Sequence, residues 1–362
     1  MQSTRFKAGG IGVWSALASA FLFGAGTPLA KWLLDQMNPW MLAGLLYLGS
    51  GIGLGIYRLL RGSVTPRLNA SEARWMVAAI VCGGGIAPVL LMFGLSGMPS
   101  SHASLLLNAE AVLTTLLAWA VFKENLGKRI VLGMVAIVAG ALLLSWPQTG
   151  ALQGVTFETL WPALAVLLAC ALWAMDNNLT RKVALVEASW VACVKGLFAG
   201  VSNLMLAFAL GARLPDISKV PAAMLVGFFA YGISLTFFVV ALRHLGASRA
   251  GAYFSTAPFV GALFSVLFLA EPVTWQLLVA ASLMALGIWL HLTEQHGHAH
   301  QHEVLEHEHH HVHDEHHGHQ HSPGQAHQHE VALAGPHSHR HRHEPLKHSH
   351  AHYPDAHHRH TH

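Results

Sequence analysis

The chain reads as an all-α integral membrane protein: ten transmembrane helices arranged as two inverted five-helix repeats, followed by a disordered tail. Three observations lead there. Of 362 residues only 11% are charged and 53% are hydrophobic, against roughly 25% and 45–50% in ordinary globular chains. The apolar residues fall in runs of about 20, the length a helix needs to cross a bilayer core. And residues 101–124, SHASLLLNAEAVLTTLLAWAVFKE, line up with residues 248–271, SRAGAYFSTAPFVGALFSVLFLAE, at a shift of 147.

The apolar segments run at 10–30, 39–60, 75–95, 100–122, 128–146, 159–178, 187–211, 220–242, 248–269 and 273–292. Each is expected to be helical, because a helix satisfies its own backbone where no water is available. ALASA at 16–20, preceded by Arg5 and Lys7, faintly resembles a leader cleavage site. The apolar run continues through Phe21, Leu22 and Phe23 after a short lead-in, so an uncleaved first span is expected. Gly51 and Gly55, and likewise Gly196 and Gly200, have the spacing of close helix contacts, which ordinary membrane-helix glycine also produces. Cys82, Cys170 and Cys193 lie isolated within spans and read as small packing residues rather than a disulfide framework or a zinc motif.

Basic residues set the expected orientation. With the N-terminus in the cytoplasm, the inner segments hold Arg5, Lys7, Arg58, Arg61, Arg67, Arg74, Lys123, Lys128, Arg129, Arg181, Lys182, Arg243 and Arg249. The outer ones hold only Lys31, Arg213 and Lys219. That bias is the positive-inside pattern, and ten spans return the C-terminus to the cytoplasm of a cell with an inner membrane.

The 147-residue shift also matches Gly85 to Gly232, Ile86 to Ile233, Leu95 to Leu242 and Gly140 to Gly287, while LFGAGTPLAK at 22–31 falls over LWAMDNNLTR at 172–181. The chain therefore divides into a first repeat at 1–150, a second at 151–292 and a tail at 293–362. Five spans per repeat is odd, so the second copy enters the membrane the other way up. Inverted repeats give secondary transporters two conformations of similar energy around a midplane site; duplication of a plain scaffold is the bland alternative.

On these residues, with LFGAGTPLAKWLL in the first span and Ser/Ala-rich fourth and ninth spans ending at Glu124 and Glu271, residues 10–292 resemble the drug/metabolite transporter superfamily, EamA type. The resemblance implies a ten-helix carrier, usually an exporter, with a cavity lined by the first, third and fourth spans of each repeat. Its members move very different solutes, so it names no substrate.

Ionisable groups at membrane depth are costly and mark candidate sites. Glu110 lies mid-span with Asn108 nearby and Ser104 and Thr114 on its helical face, a carboxyl suited to exchange a proton for a substrate or to fix helix packing. Lys195, two turns into the seventh span, reads as its partner, as an anion site, or as a side chain snorkelling to the headgroups. Asp176, Asn177 and Asn178 close the sixth span as a gate, or as a helix-end cap with Asp176 paired to Arg181 or Lys182. His102 opens the fourth span as a cap or ligand, and Glu124 and Glu271 share a capping or gating role by symmetry. Tyr253, Ser255 and Thr256 mirror Leu106, Asn108 and Ala109 and are expected to line the cavity, with Trp14 and Trp173 as walls.

Most of the 29 histidines follow Leu290. The tail alternates His with Glu, Asp, Ser, Gly and Gln, lacks apolar periodicity, and contains Pro323, Pro336, Pro345 and Pro354, so it is expected to be disordered. Imidazole clusters are ligands for Ni, Co, Zn or Cu. The candidate ligands are His307, His309, His310, His311, His313, His316, His317, His337, His339, His341, His343, His348, His350, His352, His357, His358 and His360. Protonation near pH 6.5 and attraction to the anionic inner leaflet is the competing role.

Three functions remain open: a small-solute exporter with a metal-buffering or metal-sensing tail, a divalent-metal exporter whose tail collects ions, and a membrane-tethered metal store. Without a phosphate loop or a Ser/His/Asp arrangement, an enzyme is not expected. No cofactor is required beyond metal on the tail. The expected partners are the lipid bilayer and a small molecule or ion, with no nucleic acid; homo-oligomerisation stays open.

Overall fold

The structure, a computed structural model, describes residues 2–63, 66, 69–122, 127–146, 156–180, 187–293, 297–301, 306–311, 337–342 and 347–351. The chain forms two compact units, Met1–Glu294 and Gln295–His362.

In the first unit every described element is helical. α1 (Gln2–Leu34) is followed by α2 (Pro39–Leu60), which starts on Asn38: its side chain accepts from the Trp40 N–H, and Pro39 occupies a first-turn position where no donor is needed. The third span is composite: α3 (Ala70–Ala79), a π-helical segment Ile80–Ile86, then α4 (Ala87–Gly97). Asn69 and Glu72 form a reciprocal capping box at its start. The fourth span breaks as well, into α5 (Ser100–Leu106) and α6 (Ala109–Phe122). α7 (Lys128–Ser145) completes the first repeat.

The second repeat has α8 (Phe157–Thr180), α9 (Ala188–Ala209) and α10 (Lys219–Gly227), then a second π-helical segment, Phe228–Ile233. α11 (Ser234–Phe254), α12 (Ala257–Phe268) and α13 (Trp275–Leu292) follow. Helical backbone thus continues through 243–247, where the sequence led us to expect a loop, and the chain turns instead at Ser255–Thr256. Among the described residues nine helices are long and apolar enough to span a membrane, and Ala257–Phe268 is a shorter apolar one.

The packing follows a two-fold pattern. α2 lies along α9 and α7 along α13, each a span against its own counterpart. α1 packs on α11 and α12, and α8 packs correspondingly on α4 and α6. Glycine permits the central crossing: a Cβ on Gly196 would lie 2.6 Å from the Gly51 nitrogen, and one on Gly200 2.5 Å from the Leu48 nitrogen. Gly55 is different, since a Cβ there would meet only the Cys193 sulfur at 3.6 Å. Leu42, Leu46, Leu91, Met92, Ile137 and Met284 fill the interior, while Leu132, Leu142, Phe198, Met205 and Leu278 point outward, as they do where the solvent is hydrocarbon.

Of the second unit, the described residues are four short strands, β1 (Gly297–Gln301), β2 (Glu306–His311), β3 (His337–Arg342) and β4 (Lys347–Ala351). β1 pairs antiparallel with β4, and β2 with β3. The H-x-H alternation is itself a period-two pattern, which a strand accommodates.

Candidate functional site

The sequence places a carboxylate at the end of the sixth span and a lysine two turns into the seventh, and the structure joins them. Lys195 Nζ donates to both carboxylate oxygens of Asp176, at 2.6 and 2.5 Å. Both side chains are largely buried, and Thr180 Oγ1 adds a third bond to Asp176 Oδ1 at 3.0 Å. The expected Lys195–Glu110 pair is therefore not made. Glu110 instead accepts from Asn177 Nδ2 at 2.8 Å. The reason is which faces meet: α9 brings Lys195 to Asp176 on α8, whereas Glu110 opens α6 and meets α8 one residue along. Asp176 takes a partner from across the bundle, and its expected local partners Arg181 and Lys182 lie outside the described residues.

The first π-helical segment builds the floor of this site. A π turn leaves carbonyls without their usual helical donor, and here side chains supply it. Tyr47 Oη and Trp173 Nε1 both donate to the Gly83 carbonyl at 2.9 Å, and Asn203 Nδ2 donates to the Gly84 carbonyl at 3.2 Å. Glycine is required at 83, because a Cβ would overlap the Asp176 carboxylate. An aromatic file continues from Tyr47 to Tyr231 (ring centroids 5.3 Å), Phe23 (5.9 Å) and Phe254 (5.3 Å). Through the Gly83 and Asn177 contacts, the charged pair, the amide-held carboxyl and the aromatic file form one polar cluster beside π faces, the kinds of group that an ammonium, a carboxylate or a ring engages.

A second arrangement clamps the connection between α4 and α5. Lys31 Nζ donates to the carbonyls of Leu95 and Met98 at 2.5 and 3.1 Å. Glu271 accepts from the Ser100 and Ser101 N–H groups at 2.7 and 2.9 Å and from Ser100 Oγ at 2.7 Å. Each charge complements the helix end it meets. Ala270 has φ 52°, a left-handed turn that aims Glu271 at these donors. Burial acts to raise the Glu271 carboxyl, but the Ser101 and Ser100 hydrogen bonds outweigh it and hold it below the usual carboxylate range. Its symmetry partner Glu124 lies outside the described residues.

The remaining candidates separate by burial. Trp173 is buried on the site, but Trp14 is 73% exposed and forms no interior wall; close to the start of the apolar span at Ile11, its amphipathic ring suits the membrane surface. Asn108 sits at the α5–α6 break, donating to the Leu105 carbonyl at 3.0 Å. Ser104 Oγ is buried without a hydrogen-bond partner among the described residues, as are Thr114 Oγ1 and Asn178 Oδ1, although Asn178 Nδ2 bonds the Ala174 carbonyl at 2.8 Å. His102 is buried, its ring nitrogen Nδ1 3.4 Å from Ser101 Oγ. Tyr253 packs beside Ala16, Ala241 and Ala250, and Ser255 and Thr256 bond back to the Gly251 and Tyr253 carbonyls. These three bound the α11–α12 turn.

On the tail, His307, His309, His310, His311, His337, His339, His341, His348 and His350 lie on described strands. His313, His316, His317, His343, His352, His357, His358 and His360 lie outside the described residues. The sequence reading missed Tyr47, Tyr231, Asn203 and the reciprocal Ser19–Ser234 pair, in which each hydroxyl donates to the other's carbonyl at 2.7 and 3.0 Å. The triplet Gly83–Gly84–Gly85 was the available signal, since adjacent glycines in a span mark close backbone contact.

The profile of the EamA-like transporter family matches the chain twice, at residues 10–146 and 160–293. The chain belongs to that family. This EamA-like protein is accordingly a multi-pass membrane transporter, and the two matches fall one on each repeat. An uncharacterized transporter of Methanothermobacter thermautotrophicus is 29% identical to it over 301 residues, 77% of this chain and 85% of the relative. The uncharacterized inner membrane transporter YedA of Escherichia coli K12 is 25% identical over 237 residues, 64% of this chain and 74% of its own. A crystal structure of a protein 20% identical to the EamA-like chain overlays with a TM-score of 0.58, covering 78% of this chain and 95% of that one. That likeness is one of fold.

Proposed function

We propose that this transporter is a secondary carrier that exports a small organic solute from the cytoplasm across the inner membrane. The two repeats alternate access to the polar cluster around Lys195, Asp176 and Glu110. The observation that carries the reading is the Lys195–Asp176 pair, seated on the π-helical carbonyls beside Tyr47 and Trp173. Pairing offsets part of the cost of keeping two charges in a membrane, and a solute bearing either charge can compete for one partner. Glu110 is the coupling carboxyl of this scheme. The Lys/Arg bias of the inner loops supports cytoplasmic termini.

The His-rich tail binds divalent metal and buffers or senses it. Its register supports this: His298 lies opposite His350, His300 opposite His348, His307 opposite His341, His309 opposite His339 and His311 opposite His337. Opposed positions in an antiparallel ladder have Cα atoms about 4.5–5.5 Å apart, near enough for two imidazoles to bind one ion. That register also favours the second reading, a Ni, Co or Zn exporter fed by the tail. Against it, both Asp176 oxygens are engaged by the Lys195 ammonium, which would have to leave before a cation could be ligated there.

One comparison separates these readings. Cells expressing the intact chain, Lys195→Met or Glu110→Gln at matched levels are assayed for released organic solutes and for cellular nickel, cobalt and zinc. An organic solute released by the intact chain alone supports the proposal. Loss of one metal that Glu110→Gln abolishes replaces it with metal export. Metal that rises with the tail and ignores Glu110→Gln, with no solute released, leaves a metal store.

A further inference from the structure

We infer that the crevice beside the first π-helical segment seats one acyl chain of a membrane lipid, and that the seated chain holds that segment in its π-helical form. The crevice has a volume of about 480 Å³, within the roughly 300–1,000 Å³ typical of ligand pockets. One wall is the segment itself, through Ile80, Val81, Gly85 and Ile86, and Trp40 and Trp161 line it as well. Apart from the indole N–H groups of the two tryptophans, its polar side chains are already engaged: Ser202 Oγ donates to the Phe198 carbonyl at 2.8 Å and Asn203 Nδ2 to the Gly84 carbonyl. What remains is apolar, and water in such a space lacks the two to four partners that hold it.

The mouth identifies the occupant. Val81, Ile86 and Leu206 on the lining are 50%, 47% and 42% exposed. They belong to helices that span the membrane, so the crevice is continuous with the surface covered by lipid hydrocarbon. A single alkyl chain is what that surroundings supplies.

The same segment faces the polar site. While Ile80, Val81, Gly85 and Ile86 line the crevice, Gly83 packs on Asp176 and its carbonyl holds Tyr47 and Trp173. Converting the π turn to α would rotate the following side chains by about 100°, one residue of helix, and withdraw them from one of these surfaces. A chain packed against the crevice wall therefore favours the arrangement that seats the Lys195–Asp176 pair. The inference does not depend on which solute is carried.

The test uses the full chain in nanodiscs containing a phosphatidylcholine with a photoreactive diazirine in one acyl chain. After irradiation and digestion, adducts on 80–93 and 202–206 should exceed those on the equally outward-facing 131–142 several-fold. Gly85→Leu should plug the crevice, since a Cβ there meets only the Ile80 carbonyl at 3.7 Å; Ser202→Leu is an independent plug from α9. Either plug should remove the excess and leave 131–142 unchanged. Amide exchange at 80–86 should slow when lipid is added to detergent-purified protein. Even labelling of all outward segments, or an excess indifferent to both plugs, overturns the chain site. Exchange unchanged by lipid overturns its hold on the segment.

Discussion

Lys195 and Asp176 pair within the helix bundle, each offsetting the cost of burying the other. Removing one partner strands the other, at a cost of about 3–5 kcal/mol for buried pairs, whereas removing both as apolar or neutral groups costs far less. Lys195→Met and Asp176→Asn should each lower the melting temperature in detergent sharply, and the double substitution should recover most of the loss; additive losses would refute the coupling. Glu271 carries a pH signature. Its carboxyl is held below the usual range, so its contribution is complete above the unfolded value of about 4.3 and is lost as pH falls through the lower folded value. The melting temperature of Glu271→Gln should therefore lack the part of the acid-side decline that this carboxyl contributes to the parent. Ala270→Gly relieves the left-handed turn and should stabilise by up to about 1 kcal/mol, read in the same melts. Glu110 was legible because a carboxyl within an apolar run stands out by composition alone. The partner of Lys195 was not, because pairing depends on which helix faces meet, and Asp176 beside two basic residues reads locally as a cap.

At the scale of elements, the irregularities repeat. The π-helical segments Ile80–Ile86 and Phe228–Ile233 end at positions 147 apart, and the breaks at Leu107–Asn108 and Ser255–Thr256 keep that offset to within one residue. The duplication was visible in matched residues, but neither π turns nor breaks were, because one extra residue in a turn leaves the composition of an apolar run unchanged. The glycine spacing was legible only in part: Gly51, Gly196 and Gly200 are at close contact and Gly55 is not. Gly196→Ala should weaken the α2–α9 crossing and reduce recovery of folded protein on size-exclusion chromatography, while Gly55→Ala should behave as the parent. Equal behaviour of the two would mean that the crossing does not depend on backbone approach.

For the whole molecule, composition and segment length were enough to predict a ten-span membrane protein, since the bilayer fixes both. The family match ends at residue 293 and the compact unit at Glu294, so the tail lies outside both. Truncation after Thr293 should leave membrane insertion and melting temperature intact and abolish retention on a nickel column; retention by the truncated chain would move the metal site into the body. The ion pair also bears on the balance between the halves. Gly26 aligns with Asp176 and Gly83 with Ala230, and where Gly26 meets the Ala230 methyl, Gly83 meets a carboxylate. A machine with two identical halves would rest equally in either pose. Under the proposed alternating access, the one-sided pair gives the empty cycle a preferred parking position, and cargo able to loosen the Lys195–Asp176 contact is what releases the brake.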